Sequence, residues 1–168
     1  MPQILEARVT SPKREELSGT PHGIGLVVFN LVYDVLLGWE TETDQYRGEK
    51  RRNIFTETWD PALDVRFKLP LARTVKEELG VPMDRFRVTP GTYRETNGLY
   101  VSRLGYDYKY RCVCLQYLGD HTVPAHTVFH AKNGEIIDHR WFPLDALPET
   151  LEYGACLVIT AYREILKI

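Results

Sequence analysis

Apolar residues change their spacing along this chain, and each change marks a predicted element. Gly23 to Asn30 and Val35 to Trp39 are apolar, β-rich runs, joined by a short turn at Tyr33 and Asp34 that predicts a hairpin or a sharp bend. Ile54 to Trp59 predicts a further short strand. The spacing then becomes helical: Leu71, Val75 and Leu79 recur every four residues, with Pro70 suited to a first helical turn and Gly80 to the left-handed residue that closes a helix. Beyond Pro82 the period returns to two, with strands predicted over Phe86 to Tyr93 and Tyr106 to Leu118. In the second of these, Tyr106, Tyr108, Tyr110, Cys112 and Cys114 fall on one face, and Asp107, Lys109 and Arg111 begin the other. Ile136-Ile137 and Arg140-Trp141-Phe142 continue the strand pattern. From Leu151 to Leu166 an apolar stripe of Leu151, Ala155, Val158, Ile159, Tyr162, Ile165 and Leu166 predicts a closing helix.

Between these elements lies a strongly polar run over residues 40–53, read as an exposed loop, and a loop through Asp60, Pro61 and Asp64. The chain divides into an N-terminal arm, residues 1–21, and one domain, residues 22–168. The arm carries no strong core pattern after Val9; exchange between the subunits of a homodimer and a flexible or surface-bound arm are both expected of it. With 168 residues, 43% of them hydrophobic and 26% charged, the chain is sized for one full core. A net charge of −2 argues against a nucleic-acid partner or an anionic membrane. No apolar stretch reaches membrane-spanning length and no cleavable signal pattern opens the chain. Cys112, Cys114 and Cys156 read as reduced, buried thiols of a cytoplasmic protein.

The residues with candidate chemistry gather in Ala-Arg-Thr-Val-Lys-Glu-Glu-Leu-Gly-Val, residues 72–81. Glu77 and Glu78 are adjacent carboxylates, and Arg73 stands one helical turn before Glu77. A hard cation such as Mg²⁺ takes one or two carboxylates together with water and phosphate oxygens, a minimum that this pair supplies. A solvated helix end with an ordinary surface ion pair accounts for the same string without any metal.

This segment resembles the second half of a Nudix box, whose pattern runs Arg-Glu-apolar-x-Glu-Glu-x-Gly-apolar. Arg73, Val75, Glu77, Glu78, Gly80 and Val81 match it, and Thr74 stands where the first glutamate belongs. The preceding Gly-x(5)-Glu is absent, with Trp59 and Val65 at its two positions. Downstream, the acidic and apolar run ending in Trp141-Phe142 and the turn Asp145-Ala146-Leu147-Pro148 are similar to the late Nudix segment.

The resemblance implies an α/β (α+β) fold, a Nudix-like mixed β-sheet sandwiched between helices. It also implies a metal-dependent pyrophosphohydrolase, acting on the acid anhydride of a nucleotide-derived small molecule with Mg²⁺ or Mn²⁺. Glu77 and Glu78 then become metal ligands and catalytic groups, Arg73 orients them, and Glu95, Glu135 or Asp138 becomes a further acid. Glu57, Asp60 and Asp64 are candidates to replace the lost box glutamate. A nucleotide-binding or regulatory module that has lost the chemistry is the alternative, since Thr74 and the missing first half explain such a loss directly. Trp39, Tyr106 and Tyr108 are candidates for stacking on a base, or simply core aromatics. His121, His126 and His130 follow Cys112 and Cys114 at spacings tolerable for zinc, but Cys-x-Cys is too tight for the usual pair, and strand packing explains the thiols better. Neither a phosphate-binding loop nor a Gly-x-Ser-x-Gly nucleophile motif occurs.

Overall fold

The computed structural model describes residues 8–10, 23–41, 51–58, 68–97, 99–101, 106–108, 110–132, 134 and 136–168. The centre of the fold is β2 (Gly23–Phe29), whose residues are all buried. It runs parallel to β10 (Tyr110–Tyr117) over its whole length, from Tyr110↔Gly23 to Gln116↔Phe29. On its other side β2 is antiparallel to β5 (Phe55–Thr58). The sheet continues outward from β10 through β7 (Arg94–Asn97) to β1 (Arg8–Thr10), and from β2 through β3 (Val35–Glu40) to β11 (Ile136–Phe142). Short strands β4 (Arg52–Asn53) and β6 (Phe86–Val88) pair with β3 and β10. A separate two-stranded sheet joins β8 (Leu99–Val101) to β9 (Tyr106–Tyr108).

Alternation along the strands divides the core in two. Ile24, Leu26 and Val28 of β2, with Val113, Leu115 and Tyr117 of β10, face α1 (Lys68–Thr74) and the turn that follows it, where Leu71, Val75 and Leu79 meet them. The short α2 (Ala125–Val128) packs on the same face. Val27, Phe29, Cys112 and Cys114 point the other way, into α3 (Tyr153–Leu166) and its stripe of Ala155, Val158, Ile159 and Tyr162. Each such buried side chain contributes roughly 2 kcal/mol by leaving water. The Tyr162 hydroxyl, fully buried, donates to the Thr92 carbonyl at 2.7 Å and so pins α3 to the sheet. A mixed sheet between helices is therefore the architecture. Among the described residues no helix is long and apolar enough to cross a membrane.

Several local expectations change. The turn after β2 is a sharp bend, because only Phe29↔Val35 pairs β2 with β3. Asn30 holds this bend, its Oδ1 accepting from the amides of Val32 and Asp34 at 3.0 Å each. The strand beginning at Phe86 ends at Val88, where Pro90 and Gly91 (φ 74°) turn the chain toward β7. The run from Tyr106 splits between the two sheets. Arg52, in the polar stretch read as an exposed loop, is buried on β4, its guanidinium over Trp39 at 5.0 Å and Phe142 at 5.4 Å. Residues 8–10 of the arm add an edge strand to β7. Cys112 and Cys114 are buried, and burial pushes each thiol up to about 12, but Cys156 is exposed on α3.

Candidate active site

The Glu77-Glu78 pair does not sit on a regular α-helix. α1 runs on into a π-helical turn, Val75–Leu79, closed by Gly80 at φ 68°. Such turns are rare and recur at functional sites, because they displace side chains from the α-helical register. Helix-end carbonyls need partners from elsewhere, and here three successive ones find them. The Glu77 carbonyl accepts from the Lys132 amide at 2.6 Å, and the Leu79 carbonyl from the His130 amide at 3.1 Å. Between them the Glu78 carbonyl meets His139 Nε2 at 3.0 Å. The backbone beneath both carboxylates is thus anchored at every residue of the segment 77–79.

His139 owes its position to a β-bulge. Ile137 pairs with Trp39 and Arg140 with Leu37, so Asp138 and His139 together oppose Gly38. Asp138 takes φ 52°, and Arg52 holds it with a 2.8 Å ion pair to its carboxylate and a second hydrogen bond to its carbonyl. That turns the His139 ring inward, where it is 1% exposed and stacks on Phe55 at 5.3 Å and 7°. Burial holds the imidazole below its usual pKa, so the ring is neutral. Facing a carbonyl, which only accepts, Nε2 must carry the proton. His139→Ala is expected to destabilise the fold by about 3 kcal/mol, from the cavity and the orphaned Glu78 carbonyl together. Urea denaturation would measure this, and a loss below about 1 kcal/mol would mean that the carbonyl finds another partner.

The carboxylates meet a third acid. Glu57, on β5, has its carboxyl within hydrogen-bonding reach of Glu77, with the charges of Glu78 and Arg73 close by. Its Oε2 is buried and lacks a hydrogen-bond partner. Burial, the contact with Glu77, and the negative charge of Glu77 and Glu78 push the Glu57 carboxyl up to about 7, against the opposing pull of Arg73. Because that pKa lies above the ordinary 4.5, the group's contribution to stability is full below 4.5 and is lost as pH rises through 7. Without divalent metal, the melting temperature of Glu57→Gln relative to the native protein is therefore expected to rise between pH 4.5 and 7, and then level off. A difference that does not vary with pH would remove the raised pKa.

The other sequence candidates are dispersed. Thr74 is fully buried and its hydroxyl donates to the Pro70 carbonyl at 2.6 Å, so it offers nothing to the surface where a box glutamate would stand. Glu95 lies on the same sheet face as Glu57, in the row Glu95–Arg111–Ile24–Glu57. Three strand spacings separate the two backbones, roughly 14 Å, and Glu95 forms an ion pair with Arg111 at 3.9 Å. Asp138 is engaged by Arg52 and Arg140. Trp39 shares its face of β3 with Leu37, the α3 side, and so stands across the sheet from the carboxylates. Tyr106 and Tyr108 belong to the smaller sheet; their side chains, together with Asp60, Asp64 and Glu135, lie outside the described residues. His126 and His130 are exposed on the α1 side, whereas Cys112 and Cys114 point to α3, so the structure assembles no zinc site from them. His139 was missed in the sequence because only the bulge aims it inward.

Among the described residues no three carboxylate, imidazole or thiol groups form a ready cage for an ion. What the turn does offer fits a hard cation. Two ionised carboxyls in contact present only acceptors to each other, and a buried oxygen without a donor is satisfied by a proton or a cation.

The mixed sheet, the helix with its glutamate turn on one face and the closing helix on the other define a protein of the Nudix fold. Among solved structures, the chain is similar to the Nudix domain of Shewanella oneidensis NrtR complexed with ADP ribose, at 15% identity and TM-score 0.57, covering 92% of this chain and 94% of that one. It is also similar to the Bacillus subtilis pyrophosphohydrolase BsRppH, at 12% identity and TM-score 0.59, over 95% and 90% of the two chains. A Caenorhabditis elegans (C. elegans) Ap4A hydrolase matches at 15% identity and TM-score 0.56, over 87% and 99%. No protein-family model and no curated protein matches the chain.

Proposed function

We propose that this protein is a Nudix-type hydrolase that cleaves a diphosphate linkage in a nucleotide-derived substrate with the help of Mg²⁺ or Mn²⁺. The observation that carries the reading is the anchored turn: the carbonyls of Glu77, Glu78 and Leu79 are all hydrogen-bonded, those of Glu77 and Leu79 to the amides of the 130–132 segment and that of Glu78 to the His139 ring on β11. Rigid anchoring of this kind is what a preorganised charged site requires, since groups fixed beforehand need no reorganisation during the reaction. Glu77 and Glu78 would hold the ion, which when bound neutralises phosphate oxygens and activates water. Arg73, close enough to feel the acid cluster, balances its charge and orients the carboxylates. The names of the similar structures, an Ap4A hydrolase, a pyrophosphohydrolase and a domain holding ADP ribose, support a nucleotide diphosphate as the substrate class.

One observation favours the alternative of a binding module without chemistry: the Thr74 hydroxyl is spent inside the helix. The deciding experiment is phosphate or nucleotide release from nucleoside triphosphates, nucleotide sugars, ADP-ribose and dinucleoside polyphosphates, with Mg²⁺ or Mn²⁺ and again with EDTA. Turnover that EDTA abolishes is expected. Its absence on every compound, together with saturable binding of one of them, would establish the binding module instead.

A further inference from the structure

Arg52 pairs with Trp39 on the α3 face of the sheet, across from the glutamate turn, yet an unbroken series of contacts joins the two. We propose that Arg52 is a positioning residue for Glu78, acting across the sheet through the Asp138–His139 bulge; this rests on the reading of Glu78 as a group of the reacting centre.

The series begins with a fixed arginine. Arg52 is buried, its amide donates to the Thr150 carbonyl at 3.0 Å, and its carbonyl accepts from the Glu152 amide at 2.8 Å. Its guanidinium, over Trp39 and Phe142, directs both terminal nitrogens at one residue, bonding the carbonyl and the carboxylate of Asp138. Asp138 needs that clamp. It takes φ 52°, in the left-handed region that glycine often fills at a bulge, and another residue stays there only where its surroundings hold it.

The bulge decides which way residue 139 faces. With it, Asp138 and His139 both oppose Gly38, and the imidazole meets the Glu78 carbonyl at 3.0 Å. Without it, alternation from Ile137, the partner of Trp39, would carry residue 139 to the α3 face and strip that carbonyl of its partner. Gly38 leaves room for the bulged form, since a Cβ there would collide with Ile136 and press on the Phe55 ring that stacks on His139. The bulge is therefore a two-state element, and Arg52 selects the state that supports Glu78. A reacting group misplaced by about 1 Å can lose roughly 100-fold in rate, so a clamp this far from the carboxylates still governs turnover.

Steady-state kinetics of the whole protein with Mg²⁺, on whichever compound of the panel it hydrolyses, test this beside NMR of ¹⁵N-histidine-labelled protein. Arg52→Lys keeps the charge and loses the fork that grips both oxygens. It is expected to lower kcat by about tenfold or more with KM within about twofold of native. Hydrogen exchange of the His139 Nε2–H, assigned by its absence in His139→Phe, is expected to quicken by a similar factor. Asp138→Ala leaves Arg52 and its main-chain bonds in place and carries the same expectations. Adding Asp138→Gly to Arg52→Lys is the rescue: glycine takes φ 52° unaided, so kcat is expected to return to within about threefold of native. A loss caused merely by the missing ion pair would not recover, because the double variant still lacks it. Arg163→Lys, at an arginine bonded to Leu144 and Asp145, is expected to change neither readout. A kcat within about twofold of native in both Arg52→Lys and Asp138→Ala would overturn the assignment, as would a double variant that stays slow. The two readings fail separately. Turnover that both single variants leave intact removes the role of Arg52 and keeps the hydrolase. A native protein that hydrolyses no compound, but whose His139 proton loses its protection in Arg52→Lys, does the reverse.

Discussion

Glu78→Gln is expected to lower metal-dependent turnover by about 10²- to 10³-fold, the loss typical when one preorganised charged or dipolar group is removed from a reacting centre. The side chain is 4% exposed, and its backbone is held by His139, so the carboxylate has little freedom to adapt. The amide keeps the shape of the acid and removes its charge, which separates electrostatics from packing. Initial rates at saturating Mg²⁺, measured beside a thermal melt, check this. A rate within tenfold of native, in a variant that melts normally, would take Glu78 out of the chemistry and move the balance toward the binding module.

Gly80→Ala is expected to destabilise the protein by about 2–4 kcal/mol, from two independent costs. The residue closes the π-helical turn at φ 68°, a conformation that a side chain with Cβ adopts only at an energetic penalty. A Cβ there would also stand 2.3 Å from the His130 carbonyl oxygen, a main-chain atom. The segment bearing that oxygen donates from the His130 and Lys132 amides to the Leu79 and Glu77 carbonyls, so it cannot retreat without releasing the turn. For a domain of this size the loss corresponds to a fall in melting temperature of roughly 5–15 °C. Activity should fall with it, since the displaced bonds are those that hold the glutamates. A melting temperature within about 2 °C of native would mean that the 130–132 segment shifts freely.

Much of this architecture was legible in the residues. β2, the core of β3, the strand near residue 55 and the helix over residues 151–166 follow from apolar spacing, which local sterics and burial translate directly into element type. The alternation of Tyr110, Cys112 and Cys114 predicted a shared face, and all three pack toward α3. The glutamate helix was legible too, through Pro70, its four-residue stripe and Gly80. Short elements were not: β1, β4, β8 and α2 are too brief to establish a period, and Arg52 is buried only because Trp39 and Phe142 from other strands cover its guanidinium.

The site divides along the same line. Residues 72–81 by themselves determined that two carboxylates and an arginine lie on one short helix ended by glycine, because helix spacing and capping act over a few residues. Which acid joins them was decided by tertiary structure alone. Glu57 reaches Glu77 through the pairing of β5 with β2, Glu95 is kept three strands away by the same sheet, and His139 enters through a bulge that Arg52 stabilises from residues far away in the chain. Strand order and register depend on contacts between segments tens of residues apart, and nothing in the local spacing of a glutamate or a histidine encodes which face it will meet.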